Sequence, residues 1–212
     1  MKTRPRASAF TLIEMLTVMA VIGILASLIV AVNGFAQKKS ALVRAEGEIR
    51  TMSTACENYK ADAGEYPRDF SADAAAEAST DSLCPLIDGD PLSEKYQKAC
   101  LFLYKSLSGD EQADGQGTGK VYFEFRPNQL KKKPEGNIEY IKDPFGNSYG
   151  YSTNGAATEE IYRTMLQKNP SARRPKGGGF NSTFDLWSTG GVISKEAAGG
   201  LNPVRRRWVK NW

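Results

Sequence analysis

The sequence predicts an α+β chain in which one long N-terminal helix packs on a small antiparallel β-sheet, and three observations predict it. An apolar run extends from Phe10 to Gln37 with Glu14 as its one charged residue. An amphipathic stripe follows, from Leu42 to Tyr59. Short β-branched and aromatic runs, separated by turn residues, occupy the later chain.

The first element is a transmembrane and assembly helix over residues 10–35. At about 1.5 Å rise per residue, a helix of this length crosses a hydrocarbon core of about 30 Å. An unpaired carboxylate in such a span costs several kcal/mol, so Glu14 needs a partner. The leader, residues 1–9, carries Lys2, Arg4 and Arg6 and ends in Ala7-Ser8-Ala9. A secretory signal places its small-residue cleavage site after the apolar region, whereas here the small residues come before it. Cleavage between Ala9 and Phe10 would remove the leader and keep the helix. It would also put a new α-amino group on Phe10, one helical turn from Glu14. Basic residues flanking the span number three on each side, with Lys38, Lys39 and Arg44 beyond it, so charge alone does not orient it.

The helix continues over 36–63, with Leu42, Ala45, Ile49, Met52, Cys56 and Tyr59 on one stripe that a sheet would cover. Gly64 ends it, and Tyr66-Pro67 imposes extended chain. Residues 64–212 form the globular region, one soluble domain together with 33–63. Leu92 to Leu107 reads as a short helix, with Tyr96, Leu101, Leu103 and Tyr104 for a core, and Gly109 to Gly119 reads as a polar flexible loop. Val121 to Phe125 and Ile138 to Ile141 are strand candidates. In Asp143-Pro144-Phe145-Gly146-Asn147, Pro presets φ and Gly relaxes it, which turns the chain into a strand over Ser148 to Ser152. Ala157 to Asn169 is a short helix, and Ser171 to Gly179 a basic, Gly-rich linker.

Composition narrows the chemistry. The formal charge of +4 includes Lys2, Arg4 and Arg6, so loss of the leader leaves 4 − 3 = +1 on the side chains, too little for a general nucleic-acid binder. The chain has no His, no Gly-x-Ser-x-Gly elbow and no phosphate-binding glycine loop, which argues against an enzyme. Cys84 and Cys100 flank a short segment, and a disulfide between them fits an oxidising compartment. Closing that loop is worth about 3 kcal/mol in the chain-entropy picture. Two free core cysteines are the alternative, and Cys56 is left over. No pair of cysteine motifs at zinc spacing is present, so no metal site is expected.

Ala9-Phe10-Thr11-Leu12-Ile13-Glu14 resembles the processing site of type IV pilins and of the pseudopilins of type II secretion. Tyr59 to Pro67, with its Gly-Glu-Tyr-Pro exit, is similar to the end of the long helix in the major pseudopilin of type II secretion. Asp143 to Tyr151 is similar to that protein's Asp-Pro-Trp-Gly-Asn-x-Tyr-x-Tyr hairpin. Phe184 to Gly190 resembles its last strand, and Asn211-Trp212 its terminus. The resemblance implies a pilin-like fold and cleavage between Ala9 and Phe10 by a prepilin peptidase. It further implies methylation of Phe10 and a role for Glu14 in docking into a helical fibre of identical subunits. Its other implied partners are minor pseudopilins and an inner-membrane assembly platform. The implied location is the bacterial inner membrane, single-pass, with the C-terminal domain in the periplasm. The chain departs from the family in having Ala9 where Gly is usual and Ala31 near the usual Pro. The resemblance to major pseudopilins implies a calcium site in the loop after the last strand. Here Gly191 to Arg207 offers one carboxylate among several cations, so a calcium site is not expected and no cofactor is implied.

A competing reading is a pilin-like or competence subunit binding DNA or surfaces through Arg173, Arg174, Lys176 and Arg205 to Arg207, with Trp208 as a stacking ring.

Overall fold

A computed structural model describes residues 11–69, 80–175, 177–192 and 208–212, with the side chains of 29–33 excepted. The chain divides into two units, Met1–Ala41 and Leu42–Trp212. The boundary falls inside the first helix, α1, which runs from Leu12 to Ala63. It stops where the sequence predicts. Gly64 adopts φ +84° and its N–H donates to the Lys60 carbonyl at 2.8 Å, a left-handed cap that a side chain would strain.

Within the second unit, the stripe on α1 is the inward face. Ala45, Ile49, Met52 and Cys56 are buried, and Ala55 joins them. Ile49, Met52, Ala55 and Cys56 pack in one core with Cys100, Leu103, Tyr104 and Leu107 of α2 (Glu94–Ser108). The same core takes Ile138 and Ile141 from β2 (Ile138–Ile141), Tyr151 from β3 (Gly150–Ser152) and Leu186 from β4 (Asp185–Ser188). The β-structure forms two small antiparallel sheets. One pairs β1 (Leu130–Lys132) with β2. The other has the order β3-β4-β5, with β5 at Val209–Lys210. The predicted α+β class and pilin-like arrangement hold.

A smaller core forms around Trp187 of β4, with Leu83, Tyr96, Ala99 and Trp208, and Trp212 packed against it. Gly150 lies opposite Trp187 in the ladder, where an added Cβ would fall 2.2 Å from the indole, so only glycine lets β3 cross there.

The hairpin turn is found as predicted. Gly146 has φ +91°, and Asp143 carboxylate oxygen Oδ1 accepts the N–H groups of Phe145 and Asn147 at 2.9 and 2.8 Å. Strand pairing resumes with an isolated bridge between Lys142 and Ser148 before β3.

Four expectations are corrected. Val121 to Phe125 is not a strand, because the N–H groups of Tyr122 and Phe123 both donate to the Leu107 carbonyl at the end of α2. Its rings pack instead, Phe123 on Phe125 at 4.6 Å and Phe125 on Tyr104 at 5.3 Å. The loop after α2 is built rather than loose. Buried Asp110 accepts Tyr104 Oη and the Gly115 N–H, both at 2.8 Å, and Gly119 N–H donates to the Gly109 carbonyl. The third helix, α3, begins at Asn154 and ends at Lys168. The Cys84–Cys100 disulfide does not form: all three cysteines are free and buried. Cys84 Sγ faces the Gly177 carbonyl at 3.6 Å and Cys100 Sγ the Ile141 carbonyl at 3.5 Å, so each thiol is held in a different place. Burial pushes Cys100 up to about 11 and also raises Cys84 and Cys56. Little thiolate then forms to attack an oxidant or another thiol.

Candidate functional site

The candidate site is the start of α1. Thr11 is the residue before the first helical turn, and Glu14 is the third residue within it. The Glu14 N–H donates to Thr11 Oγ1 at 3.3 Å, while Thr11 N–H donates back to Glu14 Oε2 at 2.7 Å. Thr11 Oγ1 donates to the same carboxylate oxygen at 2.7 Å. This is a reciprocal capping box, which satisfies N–H groups that a helix start otherwise leaves without partners. It also gives the carboxylate two donors from its own chain. The acidic charge lies at the positive end of the helix dipole, where it is favoured.

Beyond this cap the helix is apolar on every side. Leu12, Ile13, Leu16, Met19, Ile22 and Leu25 follow one another around its circumference, and each is more than half exposed. A helix apolar all round needs lipid or other helices about it. Its few hydroxyls are turned inward on the backbone: Thr17 Oγ1 donates to the Glu14 carbonyl at 2.9 Å and Ser27 Oγ to the Ile24 carbonyl at 2.7 Å. No donor is left pointing outward from these two. Among the described residues no helix is long and apolar enough to cross a membrane. The predicted span of 10–35 includes Phe10 and the side chains of 29–33, which lie outside the described residues.

Of the sequence-predicted site residues, Glu14 is placed in this cap, while Ala9 and Phe10 lie outside the described residues. Thr11 was not singled out by sequence reasoning. The signal was present, since Thr-x-x-Glu before an apolar run is the sequence form of a capping box. Of the loop read as lacking calcium ligands, Gly191 to Arg207, residues 193–207 lie outside the described residues. Among the described residues no group of three or more acidic or cysteine side chains is placed to hold a metal ion.

Of the surface invoked by the competing DNA-binding reading, the stacking ring is not available. Trp208 is buried and stacks on Trp187 at 5.8 Å, so its ring is spent inside the fold. Arg174 pairs with Glu159 at 3.4 Å, and Lys176 and Arg205 to Arg207 lie outside the described residues.

Residues 4–30 match the family model of the prokaryotic N-terminal methylation motif, a stretch containing Ala9, Phe10, Thr11 and Glu14. No curated protein and no solved structure matches the chain.

Proposed function

We propose, from the methylation motif at residues 4–30, that the chain is a structural pseudopilin subunit. It would be cut between Ala9 and Phe10 by a prepilin peptidase and methylated on Phe10. It would then polymerise into a periplasmic fibre that drives protein secretion of the type II kind. The observation that carries this reading is a carboxylate held at the very start of a helix that is apolar on all sides.

Before assembly the subunit rests in the bacterial inner membrane through residues 10–35, with the Leu42–Trp212 unit in the periplasm. In that state Thr11 supplies the donors that Glu14 requires. In the fibre the apolar helix exchanges lipid for neighbouring helices at small cost, because both are equally apolar. The Phe10 ammonium of an adjacent subunit then offers Glu14 a charged partner, stronger than a neutral hydroxyl. Partners on this reading are copies of itself, minor pseudopilins and an inner-membrane assembly platform.

Intact-mass measurement after co-expression with a prepilin peptidase tests the proposal. The expected mass is that of a chain beginning at Phe10 and carrying one added methyl group. A chain still beginning at Met1 under those conditions removes it.

A further inference from the structure

A cleft of about 550 Å³ in the Leu42–Trp212 unit is lined by Arg44, Glu48 and Thr51 of α1 on one side and by Glu124, Arg126 and Gln129 on the other. A second cavity of about 320 Å³ shares Arg44, Glu48 and Gln129 with it and adds Lys142 and Asp143.

The carboxylates and cations around this cleft are not in the same condition. Glu48 is mostly buried, at 17% side-chain exposure, and accepts Tyr149 Oη at 2.6 Å. Asp143 is buried and accepts two backbone N–H groups together with Ser188 Oγ at 2.5 Å. Both acids are therefore answered from inside the fold. Arg44 reaches Glu48 only at 3.8 Å and is 55% exposed. Among the described residues, Arg126 and Lys142 have no carboxylate within 4.0 Å. Exposed Glu124 is the one acid on the rim left to oppose them.

The same unit displays a rigid acidic counterpart. Glu111 and Asp114 are exposed on the loop after α2 and have no cation within 4.0 Å among the described residues, although Asp114 Oδ1 accepts the Gln116 N–H at 2.7 Å. The loop is held by Asp110, which accepts Tyr104 Oη and the N–H groups of Asp114 and Gly115 at 2.8, 3.3 and 2.8 Å. Two carboxylates on a preformed loop lose little freedom on docking.

We propose that Glu111 and Asp114 of one copy of this chain dock into the Arg44–Arg126–Lys142 cleft of the next. The contact joins two different surfaces of the same chain. It is therefore heterologous, and repetition of it builds an open helical polymer, as the fibre reading requires, when the rotation it imposes does not close into a ring. The inference rests on the fibre reading and names a contact within it.

The test uses the full-length chain, co-expressed with a prepilin peptidase, with fibre yield as readout. The variants are Arg126→Glu with Lys142→Glu, Glu111→Lys with Asp114→Lys, and all four together. Each pair alone is expected to lower fibre yield about tenfold or more through like-charge juxtaposition, and the four-fold exchange to restore most of it. Thermal melting checks that each variant is folded. As a second measurement, copies carrying Asp114→Cys mixed with copies carrying Arg126→Cys should cross-link in fibres whose other residues are unchanged. Normal yield from either charge pair, no recovery in the folded four-fold variant, or no cross-link in intact fibres overturns the contact and leaves the fibre reading standing. A wild-type chain that is processed yet never polymerises removes both.

Discussion

The two halves of α1 share one helical backbone but face opposite problems. From Leu12 to Leu28 the described large apolar side chains lie open all around the helix. From Leu42 to Tyr59 the large apolar residues other than exposed Val43 keep to one stripe, and Ala45, Ile49, Met52 and Cys56 are buried. The first half has no core of its own and requires a surrounding; the second carries its surrounding with it as α2 and the strands. One continuous helix thus carries two different patterns, apolar all round in one half and amphipathic in the other. In one half the charge is confined to the capped end, and in the other it is spread over the solvent face as i,i+4 pairs such as Glu46–Arg50 at 2.6 Å.

The comparison breaks most severely at Glu14. Glu14→Ala is expected to reduce fibre formation to background, while the melting midpoint of the Leu42–Trp212 unit stays at its wild-type value. A variant that still assembles would mean that the carboxylate has no role outside its own cap.

Next in size is a contrast between the halves. Met52→Ala removes a fully buried side chain and should destabilise the second unit by about 2–5 kcal/mol in denaturant unfolding. Leu16→Ala, at a position 59% exposed, should leave that transition where it was. Equal effects from the two would contradict the division of the helix.

The smallest effect sharpens the account of the buried acids in the second unit. Burial raises the carboxyls of Asp143 and Asp185 above the ordinary 3.8, against the hydrogen bonds each accepts. Just above pH 3.8 the folded chain then holds more protons at these groups than the unfolded chain does. Their contribution to stability is fully present below that pH and falls as pH rises through the raised folded values. Asp143→Asn should flatten this part of the stability–pH curve. A curve of unchanged slope would assign the dependence to other groups.

Much of the architecture was legible because it depends on local pattern. The stripe on α1, the left-handed stop at Gly64, α2 and the Asp143–Asn147 turn each follow from spacing or from the conformational range of glycine and proline. Glu14 was legible because an unpaired carboxylate is costly when an apolar helix lies in hydrocarbon. Its partner Thr11 was legible in principle from the Thr-x-x-Glu spacing. The strand expected at Val121 to Phe125 failed because its backbone donors had a better acceptor at Leu107, far away in sequence. The flexible loop failed for a similar reason: composition reports polarity, while Asp110 buried under Tyr104 decides order.

By itself, the sequence determined where the long helix and α2 run, where the chain turns, and that the first helix opens as an apolar rod with one carboxylate at its start, because periodicity, backbone restriction and charge placement act on neighbouring residues. Only the tertiary structure decided which extended segments became strands, that Cys84 and Cys100 stay apart as thiols, and which charges face a cleft without an answer. Those outcomes depend on which distant groups compete for the same hydrogen bond or the same buried space, and no local pattern contains that competition.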